Sequence, residues 1–105
     1  MANPWRGDVA LRINGETQVM RLTLGAIAEL EAELESQSLM AMVERFESSN
    51  FTSQDVLALL RAGLRGGKCN VSDDALYHAE IEGGPLAAAR AAAELLARAF
   101  TVPDA

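Results

Sequence analysis

From Val9 to Leu24 apolar and polar residues alternate around Asn14-Gly15. That dipeptide is well suited to a tight hairpin turn, so two strands are predicted, within a hairpin of about residues 6–24. Side chains alternate along a strand, so for any even-length loop Trp5, Val9, Leu11 and Ile13 share one face with Met20, Leu22 and Leu24. A two-residue loop sets Asp8 opposite Arg21. A four-residue loop through Thr17 sets Leu11 opposite Met20 and Val9 opposite Leu22, and the pattern permits both. An isolated hairpin is marginal in water, so its apolar face must be covered by the helices that follow or by a partner.

Beyond Leu24 the period changes from two to between three and four. A first helix is predicted over about 25–35, burying Ile27, Leu30 and Leu34. A second, over about 38–47, is capped by Ser36 or Ser38 and carries Leu39, Met42, Val43 and Phe46 on one face. Met40 and Met42 suit either an adaptable groove or, more commonly, gaps in a core. The third, over about 53–65, begins with Thr52 and Asp55 as an acidic capping box and Phe51 stapled onto Val56. It buries Leu57, Leu60 and Leu64 and is predicted to stop at Gly66-Gly67. The fourth, over about 73–82, is capped by Ser72, with Val71 against Leu76, and stops at Gly83-Gly84. The last, over about 85–100, has Pro85 in its first turn and a stripe of Leu86, Ala89, Ala93, Leu96 and Phe100, with Pro103 limiting its continuation. The fold class that results is α+β, mainly α: an N-terminal hairpin and about five short helices in a single small domain, 1–105.

Half the residues are hydrophobic and 23% are charged, a balance that favours a packed core over disorder. The net charge of −6 repels phosphate backbones and anionic lipid, and the nine basic residues are scattered, so neither nucleic acid nor membrane is an expected partner. The start lacks a basic region followed by an apolar stretch, and no apolar run approaches the ~20 residues of a membrane span. A soluble, unexported chain is expected. One cysteine, Cys69, rules out an intramolecular disulfide and fits a reducing cytoplasm.

Candidate chemistry is sparse. Residues 64–69, LRGGKC, superficially resemble a phosphate-binding loop. Ala62 stands where the first glycine is needed, Cys69 replaces the magnesium-binding hydroxyl, and a helix precedes the segment where the motif needs a strand. Asp74 and His78 are four apart with Cys69 nearby, too few ligands for zinc in a chain with one histidine and one cysteine. Cys69 beside Lys68 has the setting for a modestly lowered pKa, yet no base with an orienting third group accompanies it. No catalytic residue, cofactor or metal is therefore expected. On the first helix Glu29 and Glu33, and Glu31 and Glu35, are like charges four apart, either solvated or a dock for a basic partner. The last helix packs against its own chain or forms a self-association seam.

Three strings, LTLGAIAELE at 22–31, AGLRGG at 62–67 and AEIEGGP at 79–85, occur in an order and spacing that resembles the small protein of gene transfer agent and prophage tail-gene clusters. That family is grouped with phage tail assembly chaperones, and some descriptions call it a tail tube protein. The resemblance runs from the Asn3-Pro4-Trp5 opening to Phe100. It implies a non-enzymatic protein that holds tape-measure or tail-tube subunits during assembly in the bacterial cytoplasm, or else a structural tail component carried in the particle. Candidate partner contacts are Trp5, Val9, Leu11, Met20 and Leu22 on the hairpin and Glu29 and Glu33 on the first helix. Self-association through the hairpin or the last helix is the other expectation.

Overall fold

The computed structural model describes residues 7–34 and 38–99. Asn14 and Gly15 both take positive φ, 51° and 81°, as a tight hairpin turn of matching twist requires. They join β1 (Val9–Ile13) to β2 (Glu16–Met20) in an antiparallel pair with Val9 opposite Met20 and Ile13 opposite Glu16. This is the two-residue-loop register. Beyond the last pair the Arg21 Nε donates to Asp8 Oδ1 at 2.8 Å, so an ion pair locks the open end of the ribbon.

Five helices follow: α1 (Leu24–Glu33), α2 (Leu39–Glu47), α3 (Ser53–Gly66), α4 (Asp73–Tyr77) and α5 (Gly84–Ala99). The predicted α+β, mainly α architecture is the one observed. Thr23, Ser38, Thr52 and Ser72 each accept a backbone N–H from three residues on, at 3.1–3.2 Å, satisfying amides that a helix start leaves unpaired. At α3 the reciprocal bond from the Thr52 N–H to the Asp55 carboxylate completes the capping box.

The centre of the molecule is α3, which packs against α1, α4, α5 and β2, while α5 covers β1. Leu59, Leu60, Met20, Leu30, Met42 and Leu95 are the largest side chains sealed from solvent. Gly63 sits where α3 meets both α5 and β2: a Cβ there would lie 2.7 Å from Leu95 Cδ1 and 3.1 Å from Met20 Cβ. Its carbonyl accepts from the Arg21 N–H as well as from the Gly67 N–H, tying the exit of β2 to the helix.

Four expectations are corrected. Leu24 is not on the hairpin face; it opens α1 and is 84% exposed. At the end of α3 the left-handed residue is Lys68, with φ of 59°, whereas Gly67 has φ of −83°. The two glycines serve close approach instead: a Cβ on Gly66 or Gly67 would fall 1.9 Å from Arg21 O or 2.1 Å from Val19 O. The fourth helix ends at Tyr77, short of residue 82, because residues 80–82 run extended along the outer edge of β1. There the Asn14 N–H donates to Glu80 O at 2.8 Å and the Glu82 N–H to Arg12 O at 3.1 Å, flanking an antiparallel bridge between Ile13 and Ile81. Strand-edge groups that need partners outweigh local helix periodicity. Gly83 and Gly84, with φ of 87° and 72°, then turn the chain into α5.

The fourth correction concerns α5. Its buried face is Ala88, Ala91, Ala92, Leu95 and Leu96; of the expected stripe, Leu86 is 62% exposed and Ala89 and Ala93 are half-buried, while Phe100 lies outside the described residues.

Candidate functional site

The hairpin residues proposed as partner contacts are placed inward. Val9, Leu11 and Met20 belong to the core and Leu22 is half-buried against it, covered by α3 over β2 and α5 over β1. Trp5 lies outside the described residues. The strand edges are largely closed as well. Beside the strap of residues 80–82, the Arg98 guanidinium donates to the Asp8 carbonyl on the β1 side, and the Cys69 thiol reaches the Val19 carbonyl at 3.2 Å on the β2 side. The chain's own helices thus bury this apolar face, which removes it from the surface.

The acidic face of α1 meets a basic partner within the same chain. Arg65 Nη1 lies 3.0 Å from Glu29 Oε2 and 3.2 Å from Glu33 Oε1, and Arg61 Nη1 lies 3.2 Å from Glu33 Oε2. Asp73, at the start of α4, sits 3.8 Å from both guanidinium groups. Arg61 and Arg65 are one helical turn apart on α3, so they form a cationic rail between the acidic edges of α1 and α4. Glu31 points elsewhere and accepts the Leu39 N–H at 3.3 Å, which pins the start of α2.

Among the described residues an apolar groove of roughly 430 Å³ stands open between α2 and α5. Met40, Val43 and Phe46 form one wall and Ala93, Leu96 and Ala97 the other; among the described residues Glu47 is the only charged one in the lining. A second apolar groove of roughly 380 Å³ continues along α5, between Pro85, Ala88 and Ala89 on one side and Phe51, Val56 and Leu57 on the other. Phe46 lines the first and Phe51 the second, and their rings stack with centroids 4.5 Å apart and planes within 5°, marking where the two meet.

None of these groove residues was among the expected contacts. The available signal was the methionine pair, whose two readings turn out to divide between them: Met42 is sealed in the core, and Met40 is 54% exposed on the groove wall. Met40 is one of four exposed large apolar side chains among the described residues, with Leu24, Tyr77 and Leu86.

The reactive side chains are placed without convergence. His78 Nε2 is 3.8 Å from Asp74 Oδ1, both exposed, and its ring meets Tyr77 edge-on. Burial pushes the Cys69 thiol up from its ordinary value, opposite to the lowering expected from Lys68. Among the described residues no group of three or more histidine, cysteine or carboxylate side chains could hold a metal ion, and no helix is long and apolar enough to cross a membrane.

Comparison with curated proteins and with solved structures finds no match. A family model described as phage tail tube protein, GTA-gp10, matches residues 6–102, a span that includes every strand and helix described above.

Proposed function

We propose, on the premise that this chain belongs to the phage tail tube protein family GTA-gp10, that it is a non-enzymatic structural component of a phage-like tail. The observation that carries this reading is the family match itself, which extends over the hairpin and all five helices. The geometry is consistent with it. The two buried charged residues, Asp8 and Asp55, both hold the architecture together through Arg21 and Arg45. Its partners on this reading are other tail proteins, and its place is the assembled particle.

A tail component must contact neighbours through surfaces that repeat along the assembly, which makes head-to-tail contact the relevant interface type. Quantitative mass spectrometry of purified tails or particles tests this: the chain should be retained at a fixed ratio to the other tail subunits. Its loss from particles that are otherwise complete would sink the structural reading.

One observation favours a second reading, that of an assembly chaperone acting in the host cytoplasm. Among the described residues an apolar groove stands open between α2 and α5 and a second beside it between α3 and α5, the kind of surface that holds a segment of an unassembled partner. Under that reading the protein co-purifies with tape-measure or tube subunits before assembly and is missing from the finished particle.

A further inference from the structure

The two grooves follow one another along α5 as a trough in two parts, with the stacked Phe46 and Phe51 rings, one from each lining, between them. The α5 residues that contribute to the two parts, from Pro85 to Ala97, span roughly 18 Å, about three turns of helix. On the α5 side most of the lining is alanine, which lets a second helix axis come close, and the opposite wall carries the stacked phenylalanines and the flexible Met40. Its rim is acidic. Glu47 lines the trough, Glu44 lies one turn before it on the solvent side of α2, and neither carboxylate has an ion-pair partner among the described residues. The arginine between them in sequence, Arg45, is held by Asp55 and turns away. Among the described residues no cation is paired with this rim, so a basic occupant would complement it.

We propose that this trough is a docking site for a cationic amphipathic α-helix of another protein, laid along α5 with its apolar stripe inward and its lysine or arginine flank against Glu44 and Glu47. Charge argues against a second copy of this chain as the occupant. Each copy carries a net −6, a symmetric seam would set the Glu44 and Glu47 rims near one another, and a head-to-tail contact would need a basic face where this chain has only scattered basic residues. The site stands on its own geometry, whether the chain remains in the finished tail or leaves after assembly.

The test is fluorescence anisotropy of the full chain with a labelled leucine–lysine peptide of roughly 14 residues, its leucines spaced three and four apart. Two comparison peptides are used, one with glutamate for lysine and one with the same composition scrambled around the helix. The expected result is saturable 1:1 binding of the first peptide and at least about tenfold weaker binding of the other two. Met40→Glu and Ala97→Glu, each checked for unchanged circular dichroism, are expected to weaken binding by about tenfold or more. Both variants add negative charge, so attachment by charge alone would tighten. Binding that is unchanged or tighter in these variants overturns the proposal, as does a dimer of the unliganded chain that Met40→Glu dissolves. Absence from particles bears on the proposed tail role and leaves this measurement untouched.

Discussion

Arg45 and Asp55 are joined by two hydrogen bonds, Nε to Oδ2 and Nη2 to Oδ1, each 3.0 Å long. The same carboxylate accepts the Thr52 N–H, so one buried group fastens the last turn of α2 to the cap of α3. Burial raises the Asp55 pKa, but the hydrogen bonds and charge of Arg45 and the bonds from Thr52 outweigh it, and the net position is below the usual carboxylate value.

Because the folded-state pKa is depressed, the stability it contributes is complete above the unfolded value of about 3.9 and is lost as pH falls through the lower folded value. Asp55→Asn is expected to cost about 1–3 kcal/mol near neutral pH. Urea midpoints followed from neutral pH down to about pH 2 should show the gap between variant and parent closing in acid. A gap that stays constant to the lowest pH would mean that the carboxylate charge is not what binds the two helices.

Glycine substitutions are expected to divide sharply. Gly67→Ala puts a methyl group on the backbone of β2 and Gly66→Ala puts one on the backbone just beyond it, and each should cost upwards of about 3 kcal/mol. Gly25→Ala, in the first turn of α1 with nothing within 4 Å of its Cβ, should gain about 0.5–1 kcal/mol from helix propensity. Chemical denaturation of the three variants distinguishes close packing from an ordinary helix stop, for which Gly66→Ala and Gly67→Ala would cost only about 1 kcal/mol.

The rail of Arg61 and Arg65 is partly exposed, so its worth is modest. Replacing both by alanine should lower stability by about 1 kcal/mol, with most of that difference gone in molar salt. A larger loss that persists at high salt would indicate that the arginine stems contribute through packing.

Cys69 should be a sluggish nucleophile. Its thiol is half-buried, pushed toward the protonated form, and directed at the Val19 carbonyl. Alkylation of the native protein near neutral pH is expected to run about tenfold slower than in denaturant. Equal rates would place the thiol in free solvent.

Local signals in the sequence were strong where they were short-range. Asn14-Gly15, Thr52 with Asp55, and Ser72 each specify their own few residues and take the predicted roles, and of the two serines offered for the second helix Ser38 is the cap. The loop length was undetermined by alternation alone, because both registers put the same residues on the same face; an ion pair between Asp8 and Arg21 occurs only with the two-residue turn. Contacts between distant segments were not legible. The strap at 80–82 reads as helix until Ile81 meets Ile13. The buried face of α5 was misplaced because an alanine-rich helix offers spacings of three and four on several faces at once. The same ambiguity hid the groove, whose α5 wall is a face adjoining the one in the core. The glutamates of α1 were visible, but that Arg61 and Arg65 stand opposite them depends on how α1 and α3 cross.

The strap on β1 also orders events in time. Its bond from the Glu80 N–H to the Asn14 side chain spans 66 positions, and the bond from Arg98 to the Asp8 carbonyl spans 90. A ribosome emitting this chain therefore releases the hairpin long before either closing segment exists, and the outer edge of its first strand stays open until residues 80 to 98 have emerged. Closure of the first strand onto the last helix has to wait for both segments, and a polypeptide halted after Tyr77 would carry an unpaired edge competent to pair with its neighbours.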